Sequence, residues 1–244
     1  MKMKTIFTSA MILLLFFANV FGQKTEFRGS LNSGVFSNKG ITSNDPPSFY
    51  YETSSNSAFT DNSSGINSGV CYGFSFNFKR IAKNDHFWGL DLGYEMLRST
   101  APISKFYTYT QTSSNSFTTT GTSSATGEIV YNNSFIVLNP YIGHRYRLKQ
   151  VNFDLAVGVD VAYFLKAKEK GNATTPDGSQ YSVSGGTSMK ARPNINPRVQ
   201  LQIGYKRIGV YGGYSAGLTN LIKKKWGFEN GYSNIIRFGA TYQL

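Results

Sequence analysis

Strict alternation of apolar residues with polar or small ones most constrains the fold of this chain. From Val151 to Leu165 every odd position is apolar, whereas the even positions as far as Ala162 are polar or small. Such alternation recurs at 69–79, 88–96, 194–205 and 236–244, and in weaker form at 25–36, 129–147 and 208–221. A period of two residues indicates β-strands with one apolar face, and no segment has a helical period. The sequence therefore predicts an all-β fold with eight strands.

The connections between these strands alternate in length. The short ones are 82–85, 148–150 and 206–207, and the long ones lie near 38–66, 101–127, 167–190 and 222–231. Outer-membrane barrels have this asymmetry, with short periplasmic turns and longer extracellular loops. A β-sandwich has no reason to sort its loops in this way. The pattern favours an eight-stranded antiparallel up-and-down transmembrane β-barrel, located in the cell outer membrane.

The two faces of the predicted strands differ in bulk. One carries large apolar and aromatic side chains, and the other carries Gly, Ser, Asn and Gln with scattered charges. Eight strands enclose a lumen that modest side chains already fill, so rings on the inside would overfill it. Charged residues make up only 16% of the chain, and a soluble barrel would usually carry more Lys and Glu outside. We therefore expect the apolar face to contact lipid; the alternative fold is a soluble lipocalin-like carrier.

Charged residues of both signs fall on the inward register. Because an uncompensated charge in a narrow, poorly hydrated lumen costs several kcal/mol, opposite signs are expected to pair there. The predicted lumen charge network consists of Glu26, Arg28, Lys79, Asp91, Glu95, Arg145, Asp154, Asp160, Arg198 and Arg237. Such a network predicts a plugged lumen, and a small-solute channel is the alternative function.

The N-terminus has the pattern of a secretory signal peptide. Lys2 and Lys4 form a charged start, an apolar stretch follows, and Val20 and Gly22 precede a cleavage site before Gln23. We predict a signal peptide at 1–22 and an outer-membrane β-barrel domain at 23–244. No lipobox cysteine stands at the cleavage site, so a lipid anchor is not predicted.

Few side chains are suited to catalysis or metal binding. The only cysteine is Cys71, which excludes an internal disulfide, and the two histidines, His86 and His144, leave little for zinc or acid–base chemistry. Both histidines fall on the lipid-facing register near short turns. A barrel enzyme needs a nucleophile and a base near the outer rim. We therefore expect a non-enzymatic protein with no catalytic residue, cofactor or metal.

The segment from Tyr211 to Leu221, YGGYSAGLTNL, resembles the penultimate strand of the PorT-like outer-membrane β-barrel family of Bacteroidota, OmpA/OmpX-like eight-stranded barrels. The matching residues are Tyr214, Gly217, Leu218, Thr219 and Asn220. The resemblance in strand layout covers essentially all of 23–244, and a cleavage before glutamine is usual in that phylum. It implies a structural or adhesive role, or a role as an accessory to secretion or envelope assembly.

The C-terminus resembles the β-signal that the barrel-assembly machinery recognises: a polar residue, then Gly, then two hydrophobic residues. Arg237, Gly239, Tyr242 and Leu244 fit this pattern, although a closing Phe is commoner than Leu. A final amphipathic strand with an exposed edge is suited to pairing with another sheet. We expect the barrel-assembly machinery to be a partner during biogenesis.

The long connections combine hydroxyl-rich sequence with aromatic residues. Low apolar content at 53–68 and 108–126 predicts solvated or mobile loops. The aromatic residues could form a binding surface or pack across the barrel mouth; they are Phe49, Tyr50, Tyr51, Phe59, Phe106, Tyr107 and Tyr109.

Basic residues concentrate at the predicted outer rim. Those expected to contact lipopolysaccharide are Lys166, Lys168, Lys190, Lys223, Lys224 and Lys225. An outer leaflet rich in anionic lipopolysaccharide attracts such residues electrostatically. The sequence pI of about 9.7 is also typical of nucleic-acid-binding proteins, but no nucleic acid is expected as a partner of a membrane barrel.

Overall fold

The computed structural model describes residues 22–39, 48–60, 68–113, 116–187, 193–218 and 232–244. These residues form eleven strands: β1 Gly22–Lys39, β2 Ser48–Glu52, β3 Ser57–Thr60, β4 Ser68–Ala82, β5 His86–Ser113, β6 Ser116–Leu148, β7 Val151–Thr174, β8 Gln180–Thr187, β9 Asn194–Tyr205, β10 Ile208–Ser215 and β11 Tyr232–Gln243. Within these ranges, no helix is long and apolar enough to cross a bilayer.

Eight of the strands close into an antiparallel barrel. Around the ring the order is β1, β4, β5, β6, β7, β9, β10 and β11. The ring closes because β11 pairs with β1 along a continuous register, from Lys39 opposite Tyr232 to Arg28 opposite Gln243. Closure leaves no unpaired strand edge to desolvate in a bilayer. The predicted eight-stranded up-and-down barrel is confirmed.

Three tight turns lie at one end of the barrel, at the predicted positions. Each contains one non-glycine residue in the left-handed region: Asp85 with φ 63°, Lys149 with φ 54° and Lys206 with φ 53°. Positive φ matches the twist that a short hairpin connection requires. By the usual loop asymmetry of these barrels this is the periplasmic end.

At the opposite, extracellular end, β5, β6 and β7 continue beyond the barrel as an extension of the same sheet. The β2–β3 hairpin joins it through a parallel pairing between β2 and β5, and β8 pairs with the outer part of β7. We call β2, β3, β8 and these outer parts the extracellular sheet. Its core consists of Phe49, Ala101, Ile103, Phe106, Ala125, Ile129, Tyr131, Ala173 and Val183.

The prediction of loops at 108–126 is wrong for the residues described there, which form strands, whereas the predicted solvation is confirmed at Thr118, Thr119 and Thr120, which are exposed. β5 and β6 stay paired as far as Ser113 and Ser116. Threonine-rich segments suit a pleated sheet because the β-branched side chain packs against its cross-strand neighbours. The apolar core comes from flanking residues, so the hydroxyl-rich tip needs little apolar surface of its own. In the first long connection, Ser57–Thr60 is also a strand, and 61–67 lies outside the described residues.

The outer surface of the barrel is apolar. Leu31 is 70% exposed, Phe76 64% and Ile142 64%, all on the outward face. This is the reverse of a soluble barrel, which buries its apolar face, and it matches the lipid-facing band of an outer-membrane barrel. The protein is therefore an integral outer-membrane barrel, and the lipocalin-like alternative is wrong.

Candidate functional site in the barrel lumen

The periplasmic half of the lumen contains five charged side chains, Glu26, Arg28, Lys79, Arg145 and Asp154, which we call the lower cluster. Arg145 donates from both Nη atoms to Glu26, at 2.9 and 3.0 Å, and from Nε to Asp154 Oδ1 at 2.6 Å. Lys79 Nζ lies 2.6 Å from Asp154 Oδ2, and Arg28 Nη2 lies 2.7 Å from Glu26 Oε2. All five are buried. Bidentate contacts of this kind fix geometry as well as charge.

The extracellular half contains four more, Glu95, Asp160, Arg198 and Arg237, which we call the upper cluster. Arg237 donates to both carboxylate oxygens of Glu95, at 2.6 and 2.8 Å, and its Nη1 lies 3.1 Å from Asp160 Oδ2. Arg198 Nη1 is 3.4 Å from Asp160 Oδ1, and Ser215 Oγ donates to Asp160 at 2.6 Å. The strands that supply these groups are far apart in sequence, so the cluster ties opposite walls of the barrel together.

Asp91 lies between the two clusters and departs from the expectation of direct pairing. It is 6% exposed, makes no ion pair among the described residues, and its Oδ1 has no hydrogen-bond partner. Two narrow cavities meet at Asp91, Arg198, Ser75 and Tyr211, each large enough for about one water molecule. The lower cluster contains three cationic side chains and two carboxylates, which leaves one positive charge in excess. The Asp91 carboxylate compensates this charge without a direct ion pair.

Apolar side chains cover both ends of the charged zone. On the extracellular side they are Phe36, Cys71, Leu97, Phe135, Val137, Ala162 and Ile235, and on the periplasmic side Ile81, Phe87 and Ala156. Lys79 Nζ also lies 4.6 Å from the centre of the Phe87 ring, a cation–π contact. The ion pairs of the lumen therefore lie between two apolar layers.

Sequence reasoning missed these inward apolar residues. Ile81, Phe87, Leu97 and Ile235 each stand one or two positions outside an alternating segment, on the register of the polar face. The available signal was two adjacent apolar residues where alternation breaks, as in Phe87–Trp88 and Met96–Leu97.

The extracellular sheet has two carboxylates with shifted acidity. Glu169 is partly buried, which raises its pKa, and it accepts a hydrogen bond from Thr60 Oγ1 at 3.1 Å. Hydrogen bonds donated by Ser55, and also by Ser54 and Ser57, lower the pKa of Glu52. Glu169 thus links β7 to the β2–β3 hairpin, and Glu52 organises the turn within that hairpin.

The aromatic residues of the extracellular sheet divide between its two faces. Phe49 and Phe106 stack in the core, with ring centroids 5.6 Å apart. On the outward face Tyr50 stacks on Phe59 at 5.1 Å and on Tyr107 at 5.0 Å. Phe59 is 45% exposed. Phe49 and Phe106 therefore pack inside the extracellular sheet, whereas Tyr50, Phe59 and Tyr107 form a row on its outward face.

The remaining predicted site residues that the structure describes lie on β7 and at the C-terminal strand β11. Arg237 and Gly239 face the lumen side, whereas Tyr242 and Leu244 are 50% and 72% exposed. Lys166 and Lys168 are exposed on β7. Lys190, Lys223, Lys224 and Lys225 lie outside the described residues, as do Thr219, Asn220 and residues 1–21, so the signal peptide stays a prediction.

The two histidines, predicted on the lipid-facing register near short turns, are neighbours in the structure. His86 stands directly opposite His144 in the β5–β6 pairing. His86 is exposed and His144 partly so. They lie at the periplasmic end, far from the extracellular sheet.

No protein-family model matches the chain, and no curated protein matches it. Among solved structures, it is similar to Neisserial surface protein A (9% identity, 91% of this chain and 100% of that chain, TM-score 0.37). It is also similar to Ail of Yersinia pestis in complex with a heparin analogue (12%, 90% and 99%, 0.33) and to the outer membrane protease OmpT of Escherichia coli (10%, 91% and 97%, 0.39). Likeness at these levels carries no argument about function, and the fold stands on the strand pairing above.

Proposed function

We propose that the protein is a non-enzymatic, non-conducting outer-membrane barrel that acts through its extracellular sheet. Its role would be structural, adhesive, or accessory to secretion or envelope assembly. The observation that carries the proposal is the lumen, where nine charged side chains pair in two clusters between apolar layers. Opening a path for solute would break buried ion pairs, at about 3–5 kcal/mol for each partner removed.

Planar-bilayer recording tests the plugged lumen. The refolded wild-type chain is expected to give no ungated conductance of porin size. The double variant Glu95→Ala/Arg237→Ala removes the central pair of the upper cluster and should increase leak. A matched double variant outside the barrel, Thr118→Ala/Thr119→Ala, should leave it unchanged. Ungated porin-size steps from wild type would overturn the proposal and favour the small-solute channel.

The outward face of the extracellular sheet is the surface that we assign to contacts with other molecules. Tyr107 lies nine residues beyond Arg98, where β5 begins to carry polar residues outward. This corresponds to about 30 Å along the strand, or about 20 Å of height at the usual tilt. The row of Tyr50, Phe59 and Tyr107 would then stand clear of the membrane. Exposed aromatic side chains are common anchors of protein interfaces.

A photocrosslinking residue at position 107, in intact cells, tests this assignment. We expect one reproducible protein or glycan adduct from position 107 and only lipid adducts from position 157, on the lipid-facing wall. An accessory role, as the PorT-like resemblance implies, predicts a protein of the envelope. An adhesive role predicts an adduct only when host surface material is present. No adduct other than lipid from position 107 would count against both.

A non-enzymatic role is supported by where the histidines lie. Both are at the periplasmic end, so neither can act as a base for a nucleophile at the outer rim. The proposal also includes contact with lipid and lipopolysaccharide through Lys166 and Lys168, and recognition of β11 by the barrel-assembly machinery. Replacing both lysines by glutamine should reduce co-purified lipopolysaccharide, and deleting Tyr242–Leu244 should block membrane insertion.

A further inference from the structure

The chain contains two histidines in all, and the fold brings them side by side. They are 58 positions apart, yet His144 Nδ1 lies 3.4 Å from His86 Nδ1, with ring centroids 4.7 Å apart. His86 on β5 and His144 on β6 are directly opposite each other in the β-ladder, so the two strands place the rings side by side. Both residues belong to strands of the barrel, so no loop has to become ordered to bring the two nitrogen atoms together.

The separation of the two nitrogen atoms fits one particular bridging group. Imidazole nitrogens bind Zn²⁺ at about 2.0–2.1 Å, and two such ligands at a tetrahedral angle lie about 3.4 Å apart. Two ligands at a right angle, as in square-planar sites, would lie closer, at about 2.9 Å. The same separation allows a long hydrogen bond between the rings when one Nδ1 carries a proton, which a bound cation would replace. The observed distance is that of two ligands in tetrahedral coordination and is longer than a right-angle site requires.

We propose that His86 and His144 form a binding site for a tetrahedral transition-metal ion of the Zn²⁺ class, with both Nδ1 atoms as ligands. No group of three or more His, Cys, Asp or Glu side chains suited to a metal converges within the described ranges. Water therefore completes the coordination. Two protein ligands give a labile site rather than a closed structural one, which has four.

The surroundings of the pair hold the rings in place and leave them reachable. The Tyr146 ring packs edge-on against His144, with centroids 4.7 Å apart, and Asn84 Oδ1 accepts a hydrogen bond from the His86 backbone amide at 3.4 Å. The nearby Asp85 carboxylate is paired with Arg147 at 2.5 Å. His86 is exposed, so a cation can approach it from water. A bound ion would clamp the start of β5 to β6.

Nitrogen NMR of the wild-type protein tests the site directly. With ¹⁵N-histidine labelling of the untagged full chain in detergent micelles, the only side-chain signals come from these two rings. Zn²⁺ should shift the Nδ1 resonances of both rings together and saturate at one equivalent. Absence of a shift at about millimolar Zn²⁺, or a shift of one ring alone, would overturn the proposal.

Substitution supplies the second test. Each of His86→Gln and His144→Gln should weaken Zn²⁺ binding measured by calorimetry at least about tenfold. Cys71→Ser is the matched control, because Cys71 carries the only thiol of the sequence and is buried away from the pair, so its replacement should leave binding unchanged. Heat-modifiable gel mobility first establishes that every variant is folded. Binding that survives both histidine substitutions, or that disappears with Cys71→Ser, would rule the site out.

Discussion

The barrel and the extracellular sheet share three strands, yet their polarity is reversed. On β5 the inward side chains within the membrane include Asp91 and Glu95, and those above it are Ile103 and Phe106. The outward side chains change in the opposite sense, from Leu92 to the exposed Lys105. The same strand runs through both regions, with a register shift between Ile103 and Lys105. What differs is the solvent outside the wall, which is hydrocarbon below and water above.

β7 repeats the reversal in the same order. Val157 faces lipid and Asp160 faces the lumen, whereas further out Lys168 is exposed and Ala173 is buried. The change occurs near Arg98 on β5 and near Lys166 on β7. We expect the outer leaflet to end near these positions, because the outward side chains change from apolar to charged there. A single strand therefore contains both a membrane segment and a water-soluble segment, separated by only a few residues.

The largest expected effect is on a buried charge of the barrel. Arg237→Ala leaves Glu95 without its bidentate partner and weakens the hold on Asp160, so the free energy of unfolding should fall by about 3–5 kcal/mol. Urea unfolding in micelles, followed by heat-modifiable mobility, measures this. Arg147→Ala, at the exposed ion pair with Asp85, should change stability by less than about 1 kcal/mol. Equal losses would mean that the lumen is hydrated rather than dry.

An arginine placed on the outward face should distinguish the two solvents. Leu92→Arg puts a charge near the middle of the lipid-facing band and should cost about 2–4 kcal/mol. Thr100→Arg, on the same face of β5 but above the change in polarity, should be tolerated. The free energy of unfolding of each variant is measured in lipid bilayers. A comparable cost at both positions would show that the membrane boundary lies further out than Arg98.

A cavity in the extracellular sheet should affect that sheet alone. Ile129 is fully buried there, and Ile129→Ala should cost about 2 kcal/mol, at the low end for such a change because the small sheet can relax. Hydrogen exchange should increase at β2, β3 and β8. The barrel should keep its heat-modifiable mobility. Loss of that mobility would mean that the two regions fold as one cooperative unit.

The smallest effect concerns Glu169. Its pKa is raised by burial in the folded state, so its contribution to stability is fully present below the ordinary carboxyl pKa and is lost as pH rises through the folded value. Docking of the β2–β3 hairpin should therefore weaken modestly from acid to neutral pH, by less than about 1 kcal/mol since the group is partly solvated. Hydrogen exchange of β3 measures it. Glu169→Gln should abolish the pH dependence. If the dependence persists in this variant, another titratable group causes it.

The sequence was sufficient for the parts of the fold that alternation controls. It predicted the eight-stranded ring, the three short turns and the direction of the lipid-facing side chains. It did not predict the extracellular sheet, because most of its core comes from the outer parts of β5, β6 and β7, where register shifts between β5 and β6 interrupt the period of two residues. The contact between His86 and His144 was also hidden. Finding it requires the register of β5 against β6, and three irregularities in that pairing cannot be counted from residues alone.

The seam between β1 and β11 governs when the barrel can form. Twelve residue pairs join β1 to β11. The barrel therefore cannot close, and the backbone groups at its two strand edges cannot be hydrogen-bonded, before β11 is available. Contacts of such long sequence separation slow folding, because loop-closure entropy must be lost before they form. An emerging chain would thus stay open along its whole length, and needs protection from aggregation until its last dozen residues arrive.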